Sequence, residues 1–321
     1  MSTSGGTKAV VAALLANVGI AITKLGAWAL TGASSMLAEA IHSFADSANQ
    51  VLLLVGGRQA RRAADTRHPF GYGRVRYVYA FIVSIVLFTL GGVFALYEAW
   101  NKVEEVRSGE PNQLLDSQWW WVPLVVLIAA IVMEGFSLRT AVKESNPLRG
   151  QQSWIRFIRR AKAPELPVVL LEDTGALTGL VFALFGVSLT LVTENGYFDA
   201  AGTAMIGVLL VIIAVVLAIE MSSLLVGEGA TPEKAATITA ALEGAPGVER
   251  IIHLKTLYLG PDELLIAAKI GVSGITTAHD LAGVIDGAEE RIRSALVTSA
   301  TIYLEPDVFT EDYTPNKFPA P

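Results

Sequence analysis

Six apolar segments occupy the chain before residue 227, and each approaches the roughly 20 residues that a helix needs to cross a bilayer. Polar and charged stretches separate them. The pattern predicts six transmembrane helices, near Ala9–Leu30, Ser34–Gly56, Tyr77–Tyr97, Trp119–Phe136, Val168–Val192 and Ala200–Leu225. The fourth segment opens with three consecutive tryptophans, which are typical of a membrane–water interface.

After Gly227 the apolar residues follow shorter amphipathic patterns. The first such segment has Thr231 as a helix N-cap, Pro232 at the first helical position and Gly244 beyond the end. Later segments alternate like strands or repeat like a helix. The predicted order is helix, strand, strand, helix, strand: Thr231–Glu243, Ile251–Tyr258, Glu263–Gly271, Thr277–Ala295 and Ala300–Leu304. The sequence therefore predicts a small α+β domain after the membrane segments.

Composition supports a membrane protein. Of the 321 residues, 52% are hydrophobic and only 17% are charged, against about 25% charged in a typical soluble domain. The absence of cysteine excludes disulfides and thiolate chemistry, and the net charge of −6 gives no sign of nucleic-acid binding. The N-terminus has no basic run and no obvious cleavage site, so we expect the first apolar segment to be retained.

Positive charge in the loops predicts the orientation. Two connections, after the second and after the fourth segment, are rich in Arg and Lys, whereas the opposite loops are poor in them. By the positive-inside rule both basic loops and both termini are cytoplasmic. The basic residues are Arg58, Arg61, Arg62, Arg67, Arg74 and Arg76 in one loop, and Arg139, Lys143, Arg149, Arg156, Arg159, Arg160 and Lys162 in the other.

The most informative stretch is Leu37–Gln50, LAEAIHSFADSANQ, a polar run inside the second apolar segment. Ionisable residues within a membrane helix are costly and usually functional. His42 and Asp46 are four residues apart and share a helix face, and Asn49 stays on it. An imidazole and a carboxylate in this arrangement form half of a divalent-metal site, although a structural hydrogen bond between them is an alternative. Asn49 is either a ligand or a packing amide.

Acidic partners occur in the fifth segment, where Glu172 and Asp173 stand in LLEDTGAL. Four imidazole or acidic groups on two helices can meet in a bundle core, and Zn²⁺ favours four nitrogen or oxygen ligands. Because Glu172 points about 100° away from Asp173 on a helix, it either joins the site or faces the cytoplasmic interface and its basic loop. Metal binding would displace protons from these ligands.

Other polar and small residues in the segments have simpler interpretations. Asn17 and Lys24 share a face of the first segment and are expected to neutralise or hydrogen-bond neighbours. Glu134 is interpreted as an interfacial ion-pair partner. Gly91 and Gly92 are expected to allow close helix packing.

In this combination of motifs the chain resembles the cation diffusion facilitator family. The resemblance covers about Lys8 to Pro306 and is specific as a combination. The NQ after the second-segment motif and LEDTGAL look most like the branch that includes a mitochondrial zinc exporter. The matching pieces are HSFAD in the second segment, HPFGYGRVRY in the next loop, Asp173, FDAAGTAMIG opening the sixth segment and LLVGEGA before the α+β domain.

The resemblance implies a homodimeric metal–proton antiporter in the cell (inner) membrane. Its domains would be a six-helix transmembrane domain over 1–227, a cytoplasmic ferredoxin-like dimerisation domain over 228–309 and a mobile tail over 310–321. The family's transport ligands map to His42, Asp46, Val169 and Asp173. Val169 departs from the pattern, which usually has His or Asp at this position. We therefore expect Glu172 to be the fourth ligand, with Asn49 or water as alternatives.

Accessory sites of some family members look degraded here. The loop pattern Asp65, His68 and a second His becomes Asp65, His68, Tyr72, and His68 is expected to structure the loop. In the soluble domain Tyr303 replaces a metal-binding His. His279 and Glu305 remain, as an incomplete metal site with few ligands. His253 is interpreted as a strand or interface residue. We therefore expect little regulatory metal in that domain.

The resulting prediction is a transporter rather than an enzyme. It would export a divalent cation in exchange for protons and bind no cofactor or nucleic acid. His42 favours Zn²⁺, and Mn²⁺, Fe²⁺ and Co²⁺ are the alternatives. Competing hypotheses are a non-transporting metal sensor, a passive channel and a membrane hydrolase. The hydrolase is disfavoured because only one histidine lies in a predicted span.

Overall fold

Long helices occur at each of the six predicted membrane segments. The computed structural model of the chain describes the backbone of residues 3–275 and 277–309 and the side chains from Asn17 onward, except at position 276. The expected mobile tail, 310–321, lies outside the described residues. The helices at the six segments are α1 (Thr3–Thr31), α2 (Ser34–Ala60), the continuous helix α3 (Val75–Val86), π segment (Leu87–Val93) and α4 (Phe94–Ser108), then α6 (Val122–Arg149), α8 (Glu165–Thr193) and α9 (Tyr197–Val226).

Four of these helices are long and apolar enough to span a membrane by length and composition, within the described part of the chain. They are the continuous Val75–Ser108 stretch, α6, α8 and α9. The helix α2 is less apolar because it carries the polar run around His42. A helix therefore lies at every predicted span, and four of the six meet this criterion among the described residues.

Short helices lie in two of the loops. The four-residue helix α5 (Gln113–Asp116) is capped by Asn112, whose side chain accepts a hydrogen bond from the Leu114 N–H. The helix α7 (Trp154–Arg160) is capped in the same way by Ser153. Such caps satisfy backbone N–H groups that have no partner within the helix.

A tight turn joins α1 to α2. Gly32 adopts a φ of +62°, and a Cβ there would lie 2.7 Å from the Gln113 Cβ. Glycine is required because both the left-handed backbone and the lack of space exclude a side chain. The turn brings the polar faces of α1 and α2 together.

The chain divides into two compact units. The first comprises the described residues up to 59 together with 76–222, and it contains the membrane helices. The second comprises 60–75 and the described residues from 223 onward, so the loop between α2 and α3 belongs to the unit that contains the α+β domain.

The soluble domain has the predicted helix–strand–strand–helix–strand order. Its central strand pairs antiparallel with the strand before it and parallel with the strand after it. Every second residue of the central strand is buried, from Leu264 to Ile270, and these residues share one core with Ile238, Leu242 and Ile292 of the helices. The elements are α10 (Pro232–Glu243), β1 (Val248–Gly260), β2 (Glu263–Val272), α11 (Ala278–Ala295) and β3 (Ser299–Asp307).

The capping residues of this domain agree with the sequence pattern. The Thr231 side chain accepts from the Lys234 N–H, with Pro232 at the first helical position. Thr277 caps α11 by accepting from the Asp280 N–H. A hydroxyl at the N-cap stabilises a helix by roughly 0.5–2 kcal/mol.

Candidate metal site

His42 and Asp46 face each other within α2. The distance from His42 Nε2 to Asp46 Oδ2 is 3.5 Å, and the side-chain exposures are 1% and 17%. Neither ring nitrogen has a hydrogen-bond partner in the described part of the chain, and the same holds for Asp46 Oδ1. Buried polar atoms are normally hydrogen-bonded, so these three atoms are candidates for metal ligation.

A second polar pair links α2 to α8. Asn49 Nδ2 donates to Glu172 Oε1 at 2.7 Å, and both residues are buried. Glu172 therefore faces the helix core and not the basic loop, which was the other interpretation open from the sequence. The hydrogen bond holds its carboxylate toward the helix that carries His42 and Asp46.

Asp173 has a different neighbour. Its Oδ2 accepts a hydrogen bond from Ser137 Oγ of α6 at 2.9 Å. This follows from the 100° rotation between consecutive helical residues, which turns Asp173 toward α6 while Glu172 turns toward α2. Val169, one turn earlier on α8, is half-buried and offers no ligand atom.

The five predicted site residues are thus neighbours without forming a closed cluster. Asp46 experiences the charges of Glu172 and Asp173. Among the residues that the structure describes, however, no group of three or more His, Asp or Glu side chains is arranged to hold a metal ion. The geometry provides the pair His42–Asp46, the pair Asn49–Glu172, and Asp173 on the adjacent helix face.

A small cavity borders Asp46. Its lining consists of Asn17 and Ile20 of α1, Ser43 and Asp46 of α2, and Glu134 of α6. Its volume is ≈ 10 Å³, about the smallest space that can hold one water molecule. Glu134 therefore lines the same cavity as Asp46, a placement that the interpretation as an interfacial ion pair did not anticipate.

Lys24 neutralises a neighbour, as expected, and its partner is Glu39, which the sequence did not identify. Lys24 Nζ of α1 donates to Glu39 Oε2 at 2.9 Å and to Ser43 Oγ at 2.8 Å. A Cβ on Gly179 of α8 would lie 2.8 Å from Glu39 Oε1, so the α8 backbone packs closely against this carboxylate. The signal available from the sequence was Glu39 inside the polar run of α2, together with Lys24 in an otherwise apolar segment.

Asp199 is a second residue whose role the sequence did not reveal. Its carboxylate accepts from the backbone N–H groups of Ser34 at 2.8 Å and Ser35 at 3.3 Å, and from the Ser35 hydroxyl. A carboxylate at a helix N-terminus satisfies unpaired N–H groups and the helix dipole. Asp199 of α9 therefore fixes the start of the helix that carries His42.

In the loop between α2 and α3, Asp65 is used for hydrogen bonding. It accepts from Tyr72 Oη at 2.6 Å and from the N–H groups of His68 at 2.7 Å and Arg67 at 2.9 Å. The Tyr72 hydrogen bond, followed by that of the His68 backbone, lowers the pKa of Asp65. The loop pattern expected to be a degraded metal site is thus a hydrogen-bonded turn.

In the α+β domain, Glu305 of the expected incomplete metal site is paired with a lysine. Lys269 Nζ lies 3.1 Å from Glu305 Oε1 and 2.6 Å from Asp307 Oδ2. His279 lies at the start of α11 and Tyr303 is exposed on β3. Glu305 therefore already has a cationic partner from the neighbouring strand.

Comparison with known proteins gives a consistent result. The family profile described as "Cation efflux transmembrane domain" matches residues 10–226. The chain is similar to "Proton-coupled zinc antiporter SLC30A9, mitochondrial" of Xenopus laevis, with 30% identity over 277 residues, 85% of this chain and 48% of the frog protein. It is also 28% identical over 269 residues to "Metal tolerance protein C4" of Arabidopsis thaliana, covering 83% of this chain and 57% of that protein.

A bacterial protein is among the more distant relatives. "Magnetosome protein MamM" of Magnetospirillum gryphiswaldense is 22% identical over 260 residues, 80% of this chain and 75% of that protein. The chain spans about half the length of the zinc antiporter relatives, so the similarity covers only part of those longer proteins.

Proposed function

Because this chain belongs to the cation efflux family, we propose that it exports a divalent metal cation, Zn²⁺ in the first place, from the cytoplasm in exchange for protons. It is a multi-pass membrane protein of a transporter family and not an enzyme. The observation that carries the proposal is the buried His42–Asp46 pair, in which both ring nitrogens and Asp46 Oδ1 have no hydrogen-bond partner among the described residues.

The chemistry of the donor set supports a transition metal. An imidazole nitrogen beside carboxylate oxygens suits Zn²⁺, Fe²⁺ or Co²⁺, whereas a site made mainly of oxygen suits Mn²⁺ better. His42 therefore favours zinc. A relative named as a proton-coupled zinc antiporter supports this choice of cargo, and one named as a metal tolerance protein supports a metal cation in general.

We assign the ligands as His42, Asp46 and Asp173, with Glu172 in the place left by Val169. The Glu172 carboxylate already reaches toward α2 through Asn49. In this assignment Asn49 holds Glu172 in position and is the alternative ligand. The Ser137 hydroxyl plays the same positioning role for Asp173.

Proton exchange follows from the chemistry of these groups. A metal ion binds carboxylates and neutral imidazole, so binding displaces protons and protonation displaces metal. Cytoplasmic metal would bind the deprotonated ligands, the helices would expose the site to the opposite side, and protons entering there would release the metal. His42 is suited to this coupling because an imidazole must give up a proton from the ligating nitrogen before that nitrogen can bind a metal.

The remaining parts of the proposal concern organisation. We place both termini and both basic loops in the cytoplasm of a cell that carries the protein in its inner membrane. The membrane domain comprises 1–227 and the ferredoxin-like domain 228–309, through which two copies of the chain would form a homodimer. The arginine and lysine distribution supports the orientation.

Purified protein in liposomes with a pH gradient tests the transport proposal. Uptake of Zn²⁺, Mn²⁺, Fe²⁺ and Co²⁺ is measured together with proton movement, and we expect Zn²⁺ flux coupled to protons. His42→Gln and Asp46→Asn should abolish coupled flux, whereas the loop variant His68→Gln should transport normally. A sensor would show metal binding without flux, and a channel would show flux without proton counter-movement. Either result would refute the antiporter proposal.

A further inference from the structure

The third membrane helix is interrupted by a π-helical segment, Leu87–Val93. At its end the Phe94 N–H bonds the carbonyl of Thr89, five residues earlier. The Thr89 hydroxyl donates to the carbonyls of Ile85 at 2.9 Å and Val86 at 3.3 Å. Such side-chain bonds satisfy backbone groups freed by a helix irregularity in a membrane. π-helical turns are rare and are frequently found at functional sites.

Two glycines in this segment have different neighbours. A Cβ on Gly92 would lie 2.6 Å from Val211 Cγ2 and 3.1 Å from the Val211 nitrogen, so Gly92 permits close packing against α9. A Cβ on Gly91 would lie 3.7 Å from His42 Nδ1. Both glycines are buried, and Gly91 borders the imidazole ring.

The two edges of the His42 ring therefore have distinct surroundings. Nε2 is directed to Asp46 Oδ2, 3.5 Å away, and Nδ1 is directed to the π segment at Gly91. A neutral imidazole that binds metal through one nitrogen carries its proton on the other, and the group facing that second nitrogen sets the ring orientation. Nδ1 has no hydrogen-bond partner among the described residues, so packing against the π segment is what restrains this edge of the ring.

The space at Gly91 is limited by apolar side chains. An added Cβ would lie 3.1 Å from Leu210 Cδ1 and 3.4 Å from Leu87 Cδ1. Leu210 of α9 is 1% exposed and also borders Gly175 of α8, where a Cβ would lie 3.5 Å from Leu210 Cδ2. A methyl group at position 91 would therefore crowd Leu210 first, and it would come into van der Waals contact with the imidazole.

We propose that Gly91 in the π segment is a positioning residue for His42: it receives the Nδ1 edge of the ring and directs Nε2 toward Asp46, so that the transported cation is bound through Nε2. This inference rests on the proposed function, because it specifies how one ligand of that site is held. The rare π geometry is what places a glycine backbone against the ring.

The test uses the full-length protein in lipid nanodiscs with ¹⁵N-labelled histidine. The His42 imidazole signals are those lost in His42→Gln. With Zn²⁺ bound to the wild type, we expect the metal on Nε2 and the proton on Nδ1. Zinc coordinated through Nδ1 would overturn the proposal without any substitution at position 91.

Three variants distinguish steric crowding at position 91 from orientation of the His42 ring. Gly91→Ala should shift the metal-free His42 imidazole signals and weaken Zn²⁺ binding by about tenfold, a loss typical of residues that orient a metal ligand. Gly91→Ser has similar bulk but offers an acceptor to Nδ1–H, so it should bind Zn²⁺ nearly as well as the wild type. Gly135→Ala is the matched control, since a Cβ there meets nothing within 4 Å.

The outcomes distinguish this inference from the proposed function. Unchanged His42 signals in Gly91→Ala, or equal weakening by Ala and Ser, would overturn the role of Gly91. If Zn²⁺ leaves the wild-type His42 signals unaltered, the metal site itself is wrong. In that case the metal-free signals of the variants still decide whether Gly91 orients the ring.

Discussion

Lys24 Nζ lies 2.9 Å from Glu39 Oε2, and both side chains are almost completely buried. The pair joins α1 to α2 one turn before His42 along the chain. A charge within a membrane bundle is costly unless it is paired, and here each partner neutralises the other. The ion pair therefore stabilises the contact between the first two helices next to the candidate metal site.

Removing the cation should destabilise the protein strongly. Lys24→Met leaves Glu39 buried without its partner, and breaking one side of a buried ion pair costs about 3–5 kcal/mol. Thermal unfolding in detergent should show a large loss. The double variant Lys24→Met/Glu39→Gln should recover much of it, and the exposed control Lys143→Met should unfold like the wild type. Equal stability of the single and double variants would contradict this account.

Loss of the Asn49 amide should weaken metal binding. Asn49→Ala removes the hydrogen bond that holds Glu172 toward α2, and outer partners of metal ligands typically contribute about 10–100-fold in affinity. Zinc titration of the purified protein measures the effect. The exposed Gln151→Ala serves as the control. Wild-type affinity in Asn49→Ala would show that Glu172 is not a ligand positioned by this amide.

Close packing of the third and sixth membrane helices should depend on Gly92. Gly92→Ala places a Cβ 2.6 Å from Val211 Cγ2, and overpacking of this kind costs about 1–3 kcal/mol. Unfolding in detergent should show the loss. Gly26→Ala, where a Cβ meets nothing within 4 Å, should not be destabilised. A stable Gly92→Ala protein would mean that the two helices separate without cost.

Lys269 of β2 forms an ion pair with Asp307 and Glu305 of β3, and this pair should make stability depend on pH. The hydrogen bonds of Lys269, first with Asp307 and then with Glu305, raise its pKa, and the pKa of Asp307 is lowered from its ordinary 3.8. The Asp307 contribution to stability is therefore present above pH 3.8 and is lost as the pH falls through the lowered pKa. The Lys269 contribution is present below its ordinary 10.5 and is lost only as the pH rises through the raised value.

Carboxyl NMR of the full-length protein with labelled aspartate measures this. Lys269→Met should return the pKa of Asp307 toward 3.8, because its principal hydrogen-bond donor is gone. The exposed Lys255→Met should leave the titration unchanged. A low Asp307 pKa in Lys269→Met would assign the shift to the Val308 N–H, the second group that bonds this carboxylate.

The helices were predictable because apolar periodicity and length report membrane burial directly. The residues at which the helices end were less predictable. The third helix continues to Ser108 and the fourth to Arg149, beyond the predicted Tyr97 and Phe136, because a helix can extend into water after its apolar part ends. The order of elements in the soluble domain followed from caps and alternation, which are local signals.

Within the candidate site, the face shared by His42 and Asp46 was also predictable, since helical spacing places residues four apart side by side. The sequence did not decide whether Glu172 joins the site or faces the basic loop. That depended on its hydrogen bond with Asn49, which is 123 residues away along the chain.

The sequence by itself determined that this chain crosses a membrane, carries a His–Asp pair within one helix and ends in an α+β domain, because hydropathy, helical spacing and capping act over a few residues. Only the tertiary structure decided that Lys24 neutralises Glu39, that Ser137 binds Asp173 and that Gly91 faces His42. These contacts join helices that are distant in the chain, and close packing of many side chains determines which of them meet.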